Sequence, residues 1–84
     1  MKKIASISAI LEDPAASQEK FNQVISSFKG IVKGRIGVPF DEEGIAVVSL
    51  IVCAEMDEIN SLTGKLGEIP DVLTKTAISK KEIK

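Results

Sequence analysis

Several residue types that build catalytic and metal sites are absent or scarce in this 84-residue chain. It has no His, no Trp and no Tyr, and it has a single Cys. Without His, and with one thiol, the chain alone cannot assemble the usual zinc, haem, iron–sulfur or His-based catalytic sites. Aromatic residues make up only 4% of the sequence, which leaves little for the stacking of bases or sugars. We therefore expect no catalytic residue, no bound metal and no cofactor.

Charge of one sign is not in excess, and long apolar runs are missing. Eleven Lys and Arg stand against twelve Asp and Glu, a net charge of −1. Direct nucleic-acid binding, which needs a concentrated basic face, is not expected. No apolar run approaches the ~20 residues that span a bilayer, so no membrane partner is expected either. The lone Cys53 and the lack of a cleavage pattern after the apolar residues 4–11 favour a cytoplasmic location.

The residues that are present describe one small folded domain. Hydrophobic residues make up 44% of the chain and charged residues 27%, close to the average of globular proteins. The length is too short for two domains. We predict a single domain over residues 1–79 and a charged C-terminal tail over residues 80–84.

The first third of the chain reads as a strand followed by a helix. Residues 4–11 are apolar and end at an acidic turn, which is typical of a strand. Asp13 as N-cap and Pro14 at the first helical position predict a helix that runs to about residue 29.

The remainder reads as two strands, a helix and a strand. Residues 31–38 and 45–54 are rich in β-branched side chains and flank a polar loop that ends at a glycine, which predicts a hairpin. Residues 57–67 show helical spacing of apolar positions. Residues 71–78 alternate as a final, half-polar strand.

This order of elements favours a ferredoxin-like βαββαβ fold in the α+β class. Short connections and right-handed crossovers give a four-stranded antiparallel sheet of order 4-1-3-2 with both helices on one face. Strands one and three are the most apolar and would be central. Strands two and four carry Lys33, Arg35 and Lys75, as edge strands often do.

The alternation of side chains predicts an apolar surface on both faces of this sheet. If Ile7, Leu11, Val48, Leu50 and Val52 face the helices, the opposite face presents Ile4, Ile10, Ile45, Val47 and Ile51. Two helices cover only one face, and a solvated second face should be polar. We therefore predict that the chain binds another copy of itself, as a homodimer or a dimer of dimers.

Three segments resemble the iron-only hydrogenase system regulators, a family of small ACT-like proteins related in fold to the C-terminal domain of the nickel-responsive repressor. They are residues 34–39 (GRIGVP), 44–52 (GIAVVSLIV) and 62–67 (LTGKLG), and the resemblance extends from about residue 4 to about residue 78. It implies a ferredoxin-like, ACT-like fold, self-association and a role in transcriptional regulation beside hydrogenase maturation genes.

The same resemblance implies where a ligand would bind and which ligand would not. ACT domains typically place a ligand at the first strand-to-helix turn, where an Asp and a Gly lie near a Pro. Asp13 and Pro14 match that turn, but Ala15 stands where the Gly would be. Because the nickel repressor binds its metal through His and Cys, nickel sensing of that kind does not transfer to a chain without His.

Candidate ligand-binding residues lie in three places, and each has a structural alternative. At the first helix start, Asp13 and free N–H groups could form a site for a small anionic ligand, or Asp13 could serve only as a cap. On strand two, Gly34 and Gly37 indicate a bulge or a close backbone contact, and Arg35 could bind a carboxylate or act as a solubilising edge residue. Near the end of the second helix the candidates are Thr63, Gly64 and Lys65; Gly64 costs ~1 kcal/mol there unless close packing offsets it.

Two functions follow from these observations. The first is a non-enzymatic regulatory binding module, homo-oligomeric and ACT-like, that senses a small ligand or docks onto a partner. The second is a structural or accessory interaction subunit without a small-molecule ligand. A pocket between chains that is lined by Gly34, Arg35 or Lys65 would favour the first.

Overall fold

The computed structural model describes residues 1–83, which form six regular elements. In chain order these are β1 (Lys2–Leu11), α1 (Pro14–Ser27), β2 (Val32–Phe40), β3 (Ile45–Ala54), α2 (Met56–Gly67) and β4 (Val72–Ile83). The predicted βαββαβ order is confirmed.

Helix α1 begins where the sequence predicts and ends slightly earlier, at Ser27 instead of residue 29. Pro14 lies in its first turn, where the missing N–H costs no hydrogen bond. The main-chain oxygen of Asp13 accepts two N–H groups of that turn, and the buried Ser17 hydroxyl donates to the same oxygen at 3.0 Å. Within residues 1–83 the Asp13 carboxylate forms no capping bond, so this residue takes the N-cap position without the side-chain bond expected of it.

Two glutamates, Glu55 and Glu58, form a capping box at the start of helix α2. The Glu55 side chain accepts a main-chain N–H of the first turn, and the Glu58 carboxylate accepts the N–H of Glu55 at 3.4 Å. This arrangement satisfies donors that a helix start otherwise leaves free. Ile59, Leu62 and Leu66 follow at helical spacing and are fully buried.

The four strands form one antiparallel sheet in the order β2-β3-β1-β4. This is the predicted 4-1-3-2 order, with β1 and β3 in the centre. A loop of residues 41–44 joins β2 to β3, and Gly44 adopts a left-handed φ of 67° there. The Glu43 N–H donates to the Phe40 carbonyl oxygen at 3.0 Å. Glycine suits this turn because a side chain would strain it.

The hydrophobic core lies between the helices and one face of the sheet. Its members on the sheet are Ala5, Ile7, Ala9 and Leu11 of β1, Val48, Leu50, Val52 and Ala54 of β3, and Val72 of β4. Phe21 and Ile25 of α1 pack on them together with the buried side chains of α2. The predicted parity of β1 and β3 is therefore correct.

Strand β4 is longer than the sequence indicates. Residues 80–83, expected to belong to a charged tail, continue β4 beside the start of β1, and residue 84 lies outside the described residues. A shift of register between Lys3 and Ala5 makes this possible. Ser79 stabilises the irregularity, because its hydroxyl accepts the Ile4 N–H at 3.1 Å and donates to the Lys81 carbonyl oxygen at 2.8 Å.

Candidate functional site

The sheet face that points away from the helices is broadly apolar. Alternate residues of all four strands share it, because side chains in a strand alternate between faces. Its apolar members are Ile4, Ile10, Ile36, Val38, Phe40, Ile45, Val47, Ile51 and Leu73. We call this surface the open face, since no element within residues 1–83 covers it.

Most side chains of the open face are well exposed for their type, and Ile45 and Val47 are partly exposed. Ile36 is 68% exposed, Leu73 55% and Ile51 44%, whereas Ile7 and Leu50 on the helix side are fully buried. Burying one such side chain is worth about 1.5–3 kcal/mol. Contiguous apolar patches of this kind mark interaction sites on soluble proteins. The open face therefore has the physical character of a binding surface.

Near the middle of the open face most polar groups are small. Ser8 and Ser49 lie opposite each other with their hydroxyl oxygens 3.5 Å apart, and Lys75 lies beside Ser8 on β4. Cys53 is half-buried and opposite Ile4, so its thiol belongs to this face and not to the core. Small hydroxyls leave room for a second sheet to approach closely.

A cleft of about 320 Å³ lies at one end of the sheet, between the start of α1 and the β2–β3 loop. The residues that shape it are Pro14, Ala15, Gln18, Pro39, Phe40 and Asp41. The polar side chains among its lining residues are those of Gln18 and Asp41. The cleft can therefore accept a small molecule that combines an apolar part with hydrogen-bonding groups.

A second, shallower cleft of about 270 Å³ lies between the helices, beside the end of α2. Lys20 and Val24 of α1 line it together with Lys65, Glu68 and Ile69. It contains charges of both signs, and its position is separate from the first cleft.

The candidate residues on β2 do not line either cleft. The Arg35 guanidinium donates to the Asn22 side-chain oxygen at 2.6 Å and so links β2 to α1. A methyl group at Gly34 would lie 3.9 Å from Ile51, and one at Gly37 would have no neighbour within 4 Å. Close approach of main chain therefore does not explain these glycines within one chain. A register shift next to Gly34 does match the predicted bulge.

The candidate residues on α2 are held by local contacts. The Thr63 hydroxyl donates to the Asn60 carbonyl oxygen at 3.1 Å. The Lys65 ammonium lies 5.4 Å from the centre of the Phe28 ring, a cation–π distance. Gly64 is exposed, and a methyl group there would meet nothing within 4 Å. Among residues 1–83, no close packing offsets the cost of this glycine.

The structure therefore brings together only part of the predicted ligand set. Asp13 precedes Pro14 and Ala15 at the rim of the first cleft, while Lys65 lines the second cleft. Arg35 lines neither cleft, because its guanidinium binds the Asn22 side chain. The start of α1 and the β2–β3 loop meet at one cleft, whereas the end of α2 contributes to the other one. Ligand binding by these seven residues stays a prediction.

Sequence reasoning missed the contribution of β2 to the open face. Ile36, Val38 and Phe40 alternate with Gly37 and Pro39, and this period of two was a sufficient signal. Their partners across the strand pair are Ser49, Val47 and Ile45 of β3. Because β2 also carries charged residues, its sequence indicated a solubilising edge strand and not a part of the apolar face.

Two further observations concern membranes and metals. Across residues 1–83, no helix is both long and apolar enough to cross a membrane. Over the same residues, no three His, Cys, Asp or Glu side chains are grouped so that they could hold a metal ion.

The order of elements, the sheet topology and the cleft at the first strand-to-helix turn define a ferredoxin-like protein of the ACT type. The chain belongs to the TM1266-like family, whose sequence pattern matches residues 3–76 and whose description reads "Iron-only hydrogenase system regulator, putative". This confirms the resemblance identified in the sequence. The description names a regulator and no reaction. Among curated proteins, no sequence matches the chain.

Solved structures agree with this assignment. TM1266 from Thermotoga maritima, an uncharacterised protein, is 30% identical, with a TM-score of 0.90 over 95% of this chain and 100% of that one. The ACT domain of a GTP pyrophosphokinase from Chlorobium tepidum is 22% identical, with a TM-score of 0.78 over 92% of this chain and 100% of that one. A formyltetrahydrofolate deformylase from Pseudomonas syringae pv. tomato shares the fold over 28% of its length, at 13% identity and a TM-score of 0.63 over 96% of this chain.

Proposed function

We propose that this protein is a non-enzymatic regulatory module of an iron-only hydrogenase system, and that it acts as a homo-oligomer joined through the open face. The apolar open face is the observation that carries the proposal, because leaving it in water forgoes a large hydrophobic gain. Membership of the TM1266-like family supports the regulatory role. The single thiol, Cys53, fits a reducing cytoplasmic compartment.

In this proposal the first cleft is the ligand-sensing site. It lies at the first strand-to-helix turn, where ACT domains typically bind their ligands, and Phe40 belongs to both the cleft wall and the open face. A ligand that shifts Phe40 would therefore change the surface through which two copies associate. The start of α1, where a helix leaves main-chain N–H groups without intrahelical partners, favours an anionic group on that ligand.

A specific observation favours the alternative of an accessory subunit without a small-molecule ligand. Asp41 lines the first cleft, and Glu12 and Asp13 directly precede Pro14 on its wall, so the negative charge near the cleft repels an anion. The predicted ligand residues are also dispersed over the structure. In the alternative, the open face serves self-association and the docking of a client, and the cleft stays filled with water.

Native mass spectrometry of freshly purified protein separates these two functions. The regulatory module should appear as a homo-oligomer that retains a small molecule. Ala15→Trp, which fills the cleft, should lose that extra mass, whereas Ala16→Trp on the exposed side of the same turn should keep it. A homo-oligomer of bare chains under the same conditions would support the accessory subunit, and a monomer would overturn both.

A further inference from the structure

Charged residues are distributed unevenly between the two ends of the sheet. Where β1 ends and β4 begins, the connections over residues 12–13, 41–44 and 68–71 contain acidic residues and neither Lys nor Arg. We call this the acidic end. At the opposite end, which we call the basic end, the strands carry Lys2, Lys3, Lys33, Lys80 and Lys81.

Acidic residues at the basic end do not cancel this difference. Glu55 forms an ion pair with the N-terminal ammonium group at 3.0 Å, so its charge is already balanced. On β4, Glu82 follows two lysines directly, and Asp57 and Glu58 lie in the first turn of α2, on the helix side of the sheet and not on the open face. Along the strands, the sheet therefore has one negative and one positive end.

We propose that two copies pack open face to open face with a two-fold axis that crosses the strands, so that the acidic end of each chain lies over the basic end of the other. This inference rests on the proposed function, which includes self-association through the open face. It specifies the symmetry of the resulting dimer. When two stacked sheets pack with their strands aligned, a symmetric pair has two axes in the plane between them, one across the strands and one along them. Only the axis across the strands places the acidic end of one chain over the basic end of the other.

Charge distinguishes these two axes. With the axis across the strands, residues 41–43 lie over the partner's Lys33, at the basic end of β2. Asp71 then lies over the partner's Lys80, at the basic end of β4. With the axis along the strands, residues 41–43 would lie over the partner's Asp71. Such contacts are within the Debye length of about 8–10 Å and therefore matter at ordinary ionic strength. Complementary charge at the rim sets the orientation of an interface more than its strength.

Side-chain size favours the same axis. Residues that lie opposite one another on adjacent strands form rows across the open face. The middle of the face falls between the row that contains Ile36 and the row that contains Gly34, which are successive open-face residues of β2. The axis across the strands lays one row over the other, so Ile36, 68% exposed, meets the partner's Gly34. The axis along the strands would lay Val38 on the partner's Leu73 and Gly34 on the partner's Ala77. In these two edge pairings a bulky residue would then meet a bulky one and a small residue a small one, which leaves a clash in one row and a gap in the other.

The size of the open face suits a stable dimer. The two central strands have ten residues each. At about 3.3 Å per residue and about 4.8 Å between strands, the four strands span roughly 600 Å² in projection, before the relief of side chains is counted. Standard interfaces bury about 800 Å² per partner. A second copy of this chain therefore covers the face without help from another protein.

Distances between spin labels test the orientation. Glu42→Cys, in a Cys53→Ser background, places one nitroxide label at the acidic end of each chain. With the axis across the strands the two labels lie at opposite ends, and a double electron–electron resonance experiment should give a distance above about 35 Å, because the strands alone are about 33 Å long. With the other axis the distance would fall below about 25 Å.

A mixed sample provides the positive signal. Chains labelled at Glu42→Cys, mixed with chains labelled at Lys33→Cys, should show a new distance below about 25 Å, since the acidic end of one lies over the basic end of the other. A dimer with a short distance between Glu42→Cys labels and no short distance in the mixture would overturn the orientation while leaving self-association intact. A monomer in sedimentation of the Cys53→Ser and unmodified chains would overturn the proposed function as well.

Discussion

Replacement of Leu50 by Lys is expected to abolish cooperative folding. Leu50 is fully buried on the helix side of β3, opposite Ile7 and adjacent to Arg35 on β2. An ammonium group there loses its water, gains no partner of opposite charge and lies near a like charge, at a cost of several kcal/mol. Domains of this size are stable by only about 5–10 kcal/mol, so little folded protein should remain.

Thermal and urea unfolding followed by circular dichroism measure this effect. Leu50→Lys should show no cooperative transition, while Gln23→Lys, which adds the same charge to the exposed side of α1, should unfold like the unmodified protein. A cooperative transition of Leu50→Lys at the unmodified midpoint would contradict the assignment of this strand face to the core.

The neighbouring substitution, Ile51→Lys, is expected to give a folded monomer. Ile51 lies on the open face opposite Ser6 and Gly34, near the middle of the proposed interface. Each dimer would lose two buried isoleucines, about 1.5–3 kcal/mol each, and would bring two ammonium groups close together. The dissociation constant should therefore rise by about 100-fold or more.

Sedimentation velocity together with thermal unfolding checks this result. Ile51→Lys should sediment as a monomer and still unfold cooperatively, and Gln23→Lys should keep the oligomeric state of the unmodified chain. The two adjacent lysine variants thus have opposite consequences because their side chains point to opposite faces of one strand. A variant that stays dimeric would show that the open face is not the interface.

The topology of the fold was predictable because its signals are local and repeated. The alternation in β1 and β3 separates a helix-facing set from a second apolar set, and the structure confirms both. Asp13 and Pro14 mark the start of α1 in the right place. Each of these features depends on residues close together in sequence, which is why periodicity and caps reveal them.

Other features depend on contacts between distant residues and gave no such signal. Residues 80–83 carry the composition of a solvated tail, yet a bulge supported by Ser79 allows them to pair with the start of β1. Arg35 appears free in the sequence, but Asn22 lies within hydrogen-bonding distance once α1 packs beside β2. The first cleft likewise exists only because the β2–β3 loop meets the first turn of α1.

Sedimentation velocity of the unmodified protein at tens of micromolar shows whether a second copy of the chain buries the open face. We expect a sedimenting species of twice the mass of one chain, or a dimer of dimers, with no substantial monomer. A single monomeric species at that concentration would contradict it, because the apolar side chains of all four strands would then remain in water at equilibrium.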